Sequence, residues 1–383
     1  MPNILHISYD LRSRFGMEST VAVKNLIELN SASDSNQIID LLRVTNFKHE
    51  KIDLVNANNL QINSFGLPYG IFLILNLKRV LNKIFIASKK NLIDLVKIDL
   101  IHAHKLTFEG YIGYVIATLI SKPLVITIRQ TDTSVMFYKP HLKFIYKRIL
   151  SYAKVIFYVN PYSTNLLEKR LGKNFFYTIK HKLVLLPNVV ERNYFRTNQK
   201  TENVHHSTFL TILRMDKRSV KRKNIKNLLK ALSLIVDKNV KLNIIGDGDY
   251  QKTLKEWVIQ YNLNNRVNFL GKIPNSEIDK YYQCATAFLL PSNSETFGLV
   301  YAESLLNGTP ILYSKNRLGF DGFFEGVGAA VNPASIDSIK TGITDCILKN
   351  KIYRGNIDKL SLNGAFQIFS KSYIKNVYER SIL

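Results

Sequence analysis

Two glutamates flank a glycine in the stretch SNSETFGLVYAESLLNGTP, which covers residues 292–310. Glu295 follows an apolar run that ends at Pro291, and Glu303 lies in a helical apolar pattern that Gly308 ends. The order predicts a buried strand, a polar loop and a helix. Since carboxylates accept hydrogen bonds from hydroxyl groups, Glu295 suits a sugar and Glu303 the paired hydroxyls of a ribose. The alternative is that both glutamates are ordinary solvated charges.

The loop between the two glutamates predicts an anion site. Its last four residues are Thr296, Phe297, Gly298 and Leu299, where we expect the helix to begin. The first backbone N–H groups of a helix have no partner within the helix and attract phosphate groups. In open α/β sheets, ligands bind beyond the carboxyl ends of the strands, which is where this loop would lie.

A strongly basic stretch, LRMDKRSVKRKNIKNLLKAL at residues 213–232, supplies the matching positive charge. We expect a strand to end at Arg214 and a helix to begin near Asn224. Arginine at the top of a strand neutralises a diphosphate through its planar fork, and lysine does so as a point charge. The alternative is a basic loop that is only solvated.

Strands and helices alternate along the chain, which predicts parallel sheets covered by helices. The alternation stops at the polar residues 191–207, the predicted linker. We therefore predict an α/β protein with two Rossmann-like, doubly wound domains, residues 1–190 and 208–365, that face each other across a cleft. Residues 366–383 are predicted as an amphipathic helix. The strand candidates are 3–10, 99–104, 123–129, 154–160, 182–188, 208–214, 240–246, 267–273, 286–291 and 310–314.

The stretch SETFGLVYAESLLNGTP resembles the Glu-x7-Glu signature of the retaining GT-B glycosyltransferases of family 4. The resemblance implies that the helix over 366–383 crosses back to the N-terminal domain, that Glu295 holds the donor sugar and Glu303 the ribose, and that Arg214 and Lys223 hold the diphosphate. The segment between the two cations is longer than is usual in the family, so Lys221 remains an alternative to Lys223.

The resemblance also assigns glycines and cations around the donor. In the N-terminal domain it implies that Gly16 approaches the phosphates, that His104 lies near the acceptor, and that Arg129 takes the place of a family histidine. Arginine stays charged near neutral pH, so it serves as an electrostatic stabiliser and not as a base. In the C-terminal domain, the resemblance implies that Gly246, in the Gly-Asp-Gly turn, helps to bind the nucleotide. It also implies that Gly271 and Lys272 lie beside the nucleobase.

The implied activity is transfer of a sugar from a nucleotide-diphosphate sugar to a saccharide or lipid-linked acceptor, with retention, in surface polysaccharide or glycolipid assembly. No cofactor or metal is expected, because fixed cations offset the charge of the leaving diphosphate. An inactive GT-B partner subunit that binds nucleotide sugar is one alternative, motivated by Phe15 and Arg129. A basic nucleic-acid binder is another, although no recognition motif supports it.

Composition agrees with a cytoplasmic protein. The chain has 383 residues, 46% of them hydrophobic, with two cysteines and a net charge of +24. A strong positive field favours anionic partners such as phosphates or an acidic lipid surface. The basic amphipathic stretch 71–97 predicts contact with the inner face of a membrane, or else a helix that packs on its own sheet.

Overall fold

The computed structural model describes residues 2–9, 21–30, 37–44, 54–57, 60–68, 73–90, 93–129, 132, 142–190, 207–295, 297–315 and 319–383. The chain divides into two compact units. The N-terminal unit comprises Met1–Val159, Ser163–Val189 and Lys371–Leu383. The C-terminal unit comprises Asn160–Tyr162 and Val190–Ser370.

The N-terminal unit is built on an eight-stranded sheet in the order β3-β4-β2-β1-β5-β6-β7-β8. Only β3 and β4 pair antiparallel among its described neighbours. β5 and β6 are buried along their whole length, as expected for strands covered on both faces. The strands are β1 (Ile4–Tyr9), β2 (Gln37–Val44), β3 (Leu54–Ala57), β4 (Leu60–Pro68), β5 (Leu100–Ala103), β6 (Leu124–Ile128), β7 (Val155–Tyr158) and β8 (Leu183–Leu185).

The C-terminal unit carries a six-stranded parallel sheet in the order β11-β10-β9-β12-β13-β14. This is the doubly wound order, in which the chain starts in the middle and then winds outward in both directions. The topological switch point falls between β9 and β12, which pair through Leu210 and Phe288. The strands are β9 (Thr208–Ile212), β10 (Lys241–Ile245), β11 (Val267–Gly271), β12 (Phe288–Leu289), β13 (Ile311–Ser314) and β14 (Gly328–Val331).

Helices connect the strands, and their apolar faces cover the sheets. In α2, for example, Val80 and Ile84 are fully buried in the N-terminal core, whereas Lys78 and Arg79 are exposed. The helices of the N-terminal unit are α1 (Val21–Asn30), α2 (Leu73–Lys89), α3 (Phe108–Leu119), α4 (Lys143–Tyr152), α5 (Ser163–Leu171) and α6 (Lys173–Ile179). The C-terminal unit contains α7 (Lys217–Lys223), α8 (Ile225–Ser233), α9 (Gln251–Gln260), α10 (Ile278–Cys284), α11 (Leu299–Leu306), α12 (Ile336–Leu348) and α13 (Asn350–Leu362). The last helix, α14 (Lys371–Ile382), belongs to the N-terminal unit.

The predicted terminal helix over 366–383 is corrected at its start. Ala365–Phe369 is a 3₁₀ turn of the C-terminal unit, and the backbone becomes extended at Ser370 before α14 begins. Phe366 and Phe369 pack into the C-terminal core, while Tyr378 packs into the N-terminal core. The residues of one amphipathic pattern in the sequence therefore pack into two different cores.

One domain boundary and four strands also differ from the predictions. Asn160–Tyr162 belongs to the C-terminal unit, so the N-terminal unit is not the continuous stretch 1–190. The strands β2, β3, β4 and β14 were missed altogether. The predicted linker falls, apart from Ser207, outside the described residues.

Among the residues that the structure describes, no helix combines the length and the apolarity needed to span a bilayer.

Candidate functional site

Two segments meet at the switch point of the C-terminal sheet. One segment follows β9 and carries Arg214 and helix α7, and the other follows β12 and carries Glu295. They are joined directly, since the backbone N–H of Asn293 donates to the Arg222 carbonyl oxygen at 2.8 Å. The Asn293 side chain donates to the Lys221 carbonyl oxygen at 3.1 Å. The loop before Glu295 is thus fixed to the end of α7.

Lys223 is the last residue of α7 and the cation that faces both glutamates. The helix begins at Asp216, whose side chain accepts a hydrogen bond from the Ser219 N–H, and it ends at Asn224, which has a left-handed backbone with φ 62°. The Lys223 ammonium donates to the carbonyl oxygen of Ile212, at the end of β9, across 3.2 Å. This bond turns the side chain inward.

The pKa of the Lys223 ammonium group is affected by its burial and by the charges near it. Burial lowers the pKa of its ammonium group, and the negative charges of Glu295 and Glu303 oppose that shift. Both carboxylates therefore lie close enough to interact with it. Lys221, the alternative, is exposed. Lys223 is thus the partly buried lysine whose charge interacts with both glutamates, whereas Lys221 is exposed to solvent.

Glu303 lies in the second turn of α11 and is held by a tyrosine that the sequence analysis did not single out. The hydroxyl of Tyr282, in α10, donates to Glu303 Oε2 at 3.1 Å. Tyr282 is fully buried, and a buried tyrosine hydroxyl usually has a polar partner. The only signal in the sequence was a tyrosine at an apolar position of EIDKYYQCA.

The turn before α11 depends on Gly298, which has a positive φ of 77°. A Cβ there would lie 2.4 Å from the ring of Tyr301, so the turn and the ring need glycine. The phenol of Tyr301 donates to the Leu290 carbonyl oxygen at 2.5 Å. Burial raises the pKa of that phenol, and the nearby charge of Glu295 raises it further.

The other residues predicted to bind the anion at this turn are Thr296, Phe297 and Leu299. The Phe297 side chain is 1% exposed and packs edge to face on Phe323 and Phe369 in the core, so the predicted anion contact concerns its backbone N–H alone. Leu299 is half-buried. Thr296 lies outside the described residues.

Arg214 lies on the exposed side of the loop after β9. Its Nε donates to Asp216 Oδ2 at 2.6 Å. Burial alone would raise the pKa of Asp216, but the hydrogen bonds from Ser219 and Arg214 hold it well below the usual range. The guanidinium is therefore anchored by a carboxylate at the carboxyl end of the sheet.

The predicted Gly246 supports that same loop. It has a φ of 129°, and a Cβ would lie 1.8 Å from the Leu213 carbonyl oxygen. Its N–H donates to the Gly271 carbonyl oxygen at 2.8 Å. The Gly-Asp-Gly turn therefore packs directly against the loop that carries Arg214. Gly271 ends β11 with open space around it, and Lys272 after it is exposed.

In the N-terminal unit, the predicted His104 and Arg129 lie together but are buried. His104 has no exposed surface, which corrects the expectation that it faces a cleft. Its Nε2 lies 3.1 Å from Nδ1 of His6. The Arg129 guanidinium donates to the His104 carbonyl oxygen at 3.3 Å and to Asn188 Oδ1 at 3.1 Å. Gly16 lies outside the described residues.

His6, His102 and His104 form a buried cluster whose nearest ring nitrogens lie within 4.8 Å of one another. His102 already uses both of its nitrogens, one with the Tyr378 hydroxyl and one with Thr127 Oγ1, each at 2.8 Å. A metal ion would have to break one of those bonds before His102 became a ligand. The cluster is better described as hydrogen-bonded core that ties α14 to β5 and β6.

Residues 197–359 match the family model described as Glycosyl transferases group 1. The site residues Arg214, Lys223, Glu295 and Glu303 all fall within that segment. The chain is also 27% identical over 235 residues to the alpha-monoglucosyldiacylglycerol synthase of Streptococcus pneumoniae, covering 58% of this chain and 47% of that protein. It thus spans about half the length of that relative.

Other likenesses extend further along the chain. The alpha-monoglucosyldiacylglycerol synthase of Acholeplasma laidlawii is 25% identical over 311 residues, covering 75% of this chain and 74% of that protein. The structure of Anabaena Alr3699/HepE in complex with UDP is 17% identical with a TM-score of 0.68, covering 99% of each chain. The latter likeness shows the GT-B fold, with its two Rossmann-like units.

Proposed function

We propose that this protein is a retaining glycosyltransferase of family 4, which moves a hexose from a nucleotide-diphosphate sugar to an acceptor hydroxyl. The observation that carries the proposal is the convergence of Lys223, Glu295 and Glu303 at the carboxyl ends of β9 and β12. An ammonium group that interacts with two carboxylates offers a partner for a diphosphate and partners for the hydroxyls of a nucleotide sugar. The group 1 similarity of the same segment supports this interpretation.

Each residue has a distinct role in the proposed reaction. Glu303 accepts hydrogen bonds from the ribose, and Glu295 orients the hydroxyls of the donor sugar. Lys223 balances the charge that develops on the leaving diphosphate, and Arg214 provides a second cation. The glycosidic bond to the phosphate oxygen breaks as the acceptor oxygen bonds the same face of the anomeric carbon. The acceptor proton passes to the leaving diphosphate.

Two features support a mechanism without a metal or a protein base. Lys223 already supplies positive charge where a divalent ion would otherwise act. Arg129 replaces the histidine of the family, and burial lowers its pKa only to about 10, so it remains protonated at neutral pH. We therefore propose that Arg129 acts through its charge and not as a base.

A lipid-linked or saccharide acceptor at the inner face of a membrane fits the charge pattern. Two of the relatives are named as synthases of alpha-monoglucosyldiacylglycerol. In α2, Lys78, Arg79 and Lys89 are exposed, and Ile86 between them is 53% exposed. We propose peripheral, cytoplasmic docking on anionic lipid through this face, in glycolipid or surface polysaccharide assembly.

The test is transfer from labelled UDP-glucose, UDP-N-acetylglucosamine or GDP-mannose to diacylglycerol in anionic vesicles or to a saccharide mixture. We expect product with retained anomeric configuration by NMR, undiminished by a metal chelator. Glu295→Gln should lower transfer about 100-fold, on the scale of losing one transition-state partner. Glu277→Gln, an exposed glutamate paired with Lys280, should not. Donor binding without transfer or hydrolysis would contradict an enzymatic role and indicate a partner subunit.

A further inference from the structure

Tyr282 contacts the proposed ribose-binding carboxylate from the side of the protein core. Its ring belongs to α10, has no exposed surface, and lies against Phe288 of β12 with ring centres 5.6 Å apart. Its hydroxyl reaches α11, 3.3 Å from the Val300 carbonyl oxygen and 3.1 Å from Glu303 Oε2. One side chain therefore links the sheet, α10 and the carboxylate.

The backbone around Tyr282 is also held in place. Its carbonyl oxygen accepts a hydrogen bond from Thr309 Oγ1 at 2.6 Å, just after α11. Gln283 donates to Asn307 Oδ1 at 3.1 Å, and Asn307 in turn donates to the Glu303 carbonyl oxygen at 2.9 Å. Because α10 and α11 are tied at several points, the tyrosine hydroxyl has a fixed position relative to Glu303.

Packing alone does not require the hydroxyl. The neighbours of the ring in this core are apolar, and phenylalanine would fill the same space. A buried hydroxyl is costly unless it is bonded, and here it is bonded to a carboxylate, which makes the hydrogen bond charge-assisted. Without that bond the Glu303 side chain would have more rotamers available, and more of its freedom would be lost when the ligand binds.

We propose that Tyr282 is a positioning residue, which holds the Glu303 carboxylate in the orientation that recognises ribose hydroxyls. The inference rests on the proposed function, since it needs Glu303 to contact a ribose. It deepens that function by assigning part of the discrimination between ribose and deoxyribose to a side chain that does not touch the nucleotide.

The experiment measures binding of UDP and of its 2′-deoxy and 3′-deoxy analogues by calorimetry. The variants are Tyr282→Phe, Glu303→Gln, the double variant, and Tyr281→Phe as a matched control on the same helix. We expect Tyr282→Phe to weaken UDP binding about tenfold, as for loss of one hydrogen bond to a charged group. The deoxy analogues should lose less, so the ribose preference shrinks. Tyr281→Phe should leave the affinity for UDP and the preference for ribose unchanged.

The double variant separates positioning from packing. If Tyr282 acts through Glu303, Tyr282→Phe should add nothing in the Glu303→Gln background. An unchanged ribose preference in Tyr282→Phe would overturn the inference while Glu303→Gln still tests the proposed function. Equal losses for all ligands, or failure of Tyr282→Phe to fold, would also overturn it, because the hydroxyl would then serve the fold. Failure of the wild-type chain to bind UDP, GDP or ADP would instead reject the proposed function.

Discussion

The ammonium group of Lys223 donates a hydrogen bond to the carbonyl oxygen of Ile212 at 3.2 Å. Ile212 is the last residue of β9, the first strand of the C-terminal sheet. This contact holds a partly buried cation at the switch point, where the order of the sheet leaves a crevice beyond the strand ends. The basic segment of which Lys223 forms part has other cations, but they do not share this position.

Lys223→Met should therefore abolish most of the activity. We expect about a 100-fold loss of transfer, because a cation that acts on the developing charge is removed from a partly buried site. Lys221→Met is the matched control, since it removes the same charge from the same helix at an exposed position. It should change transfer by about twofold or less. Equal losses in the two variants would show that the basic segment acts only through its summed field.

Gly298→Ala should destabilise the C-terminal unit. The residue combines a φ of 77° with a Cβ position 2.4 Å from the ring of Tyr301. The unfavourable backbone alone costs about 1 to 3 kcal/mol of unfolding free energy, and the clash adds to that cost. Gly355→Ala, in the middle of α13 with open space around it, should instead stabilise by about 0.5 kcal/mol. Thermal melting of both variants checks the difference, and equal shifts would contradict it.

Acidification should destabilise the N-terminal unit through its buried histidines. Burial lowers the pKa of His6 to about 3 and lowers those of His102 and His104 well below the usual value. The unfolded chain binds protons at these positions below about pH 6.5, while the folded chain does not. Stability is therefore lost as the pH falls below that value, by up to about 1.4 kcal/mol per pH unit for each histidine.

Asp132 opposes this effect in part of the range. Burial raises its pKa to about 6, so the folded state gains a proton there before the unfolded state does. Because Asp132 is present in all three proteins, the contribution of His6 is isolated by melting curves at pH 7.5, 6.5 and 5.5 for the wild type, His6→Gln and His181→Gln, the last an exposed histidine. His6→Gln should lose less melting temperature on acidification than the wild type, and His181→Gln should follow the wild type. An equal loss of melting temperature on acidification in all three proteins would reject the conclusion that buried His6 contributes to the acid sensitivity.

Strongly patterned elements of the chain could be predicted from the sequence. All ten strand candidates correspond to strands, because runs such as 124–128 are rich in β-branched and apolar residues and are buried along their whole length. The carboxylates were found because their spacing and the following glycine suit a loop and a helix start. The alternation of strands and helices then predicted that the loop with Glu295 lies beyond the carboxyl ends of the strands.

Other features depend on tertiary contacts that a linear pattern does not contain. The strands over 37–68 were missed because polar residues interrupt their apolar runs. Phe366 and Phe369 shared a helical spacing with Tyr378, yet they pack in a different core. Tyr282 was missed because its hydroxyl bond to Glu303 joins two helices. The different burial of Lys221 and Lys223 depends on the direction in which each side chain leaves α7.

The most direct test of the central claim is a crystal structure of the chain with whichever of UDP, GDP or ADP binds most tightly. The account predicts a diphosphate oxygen within about 3 Å of Lys223 Nζ and a ribose hydroxyl within hydrogen-bonding distance of the Glu303 carboxylate. A nucleotide bound elsewhere, with Lys223 still bonded only to protein and Glu303 not in contact with it, would contradict the account.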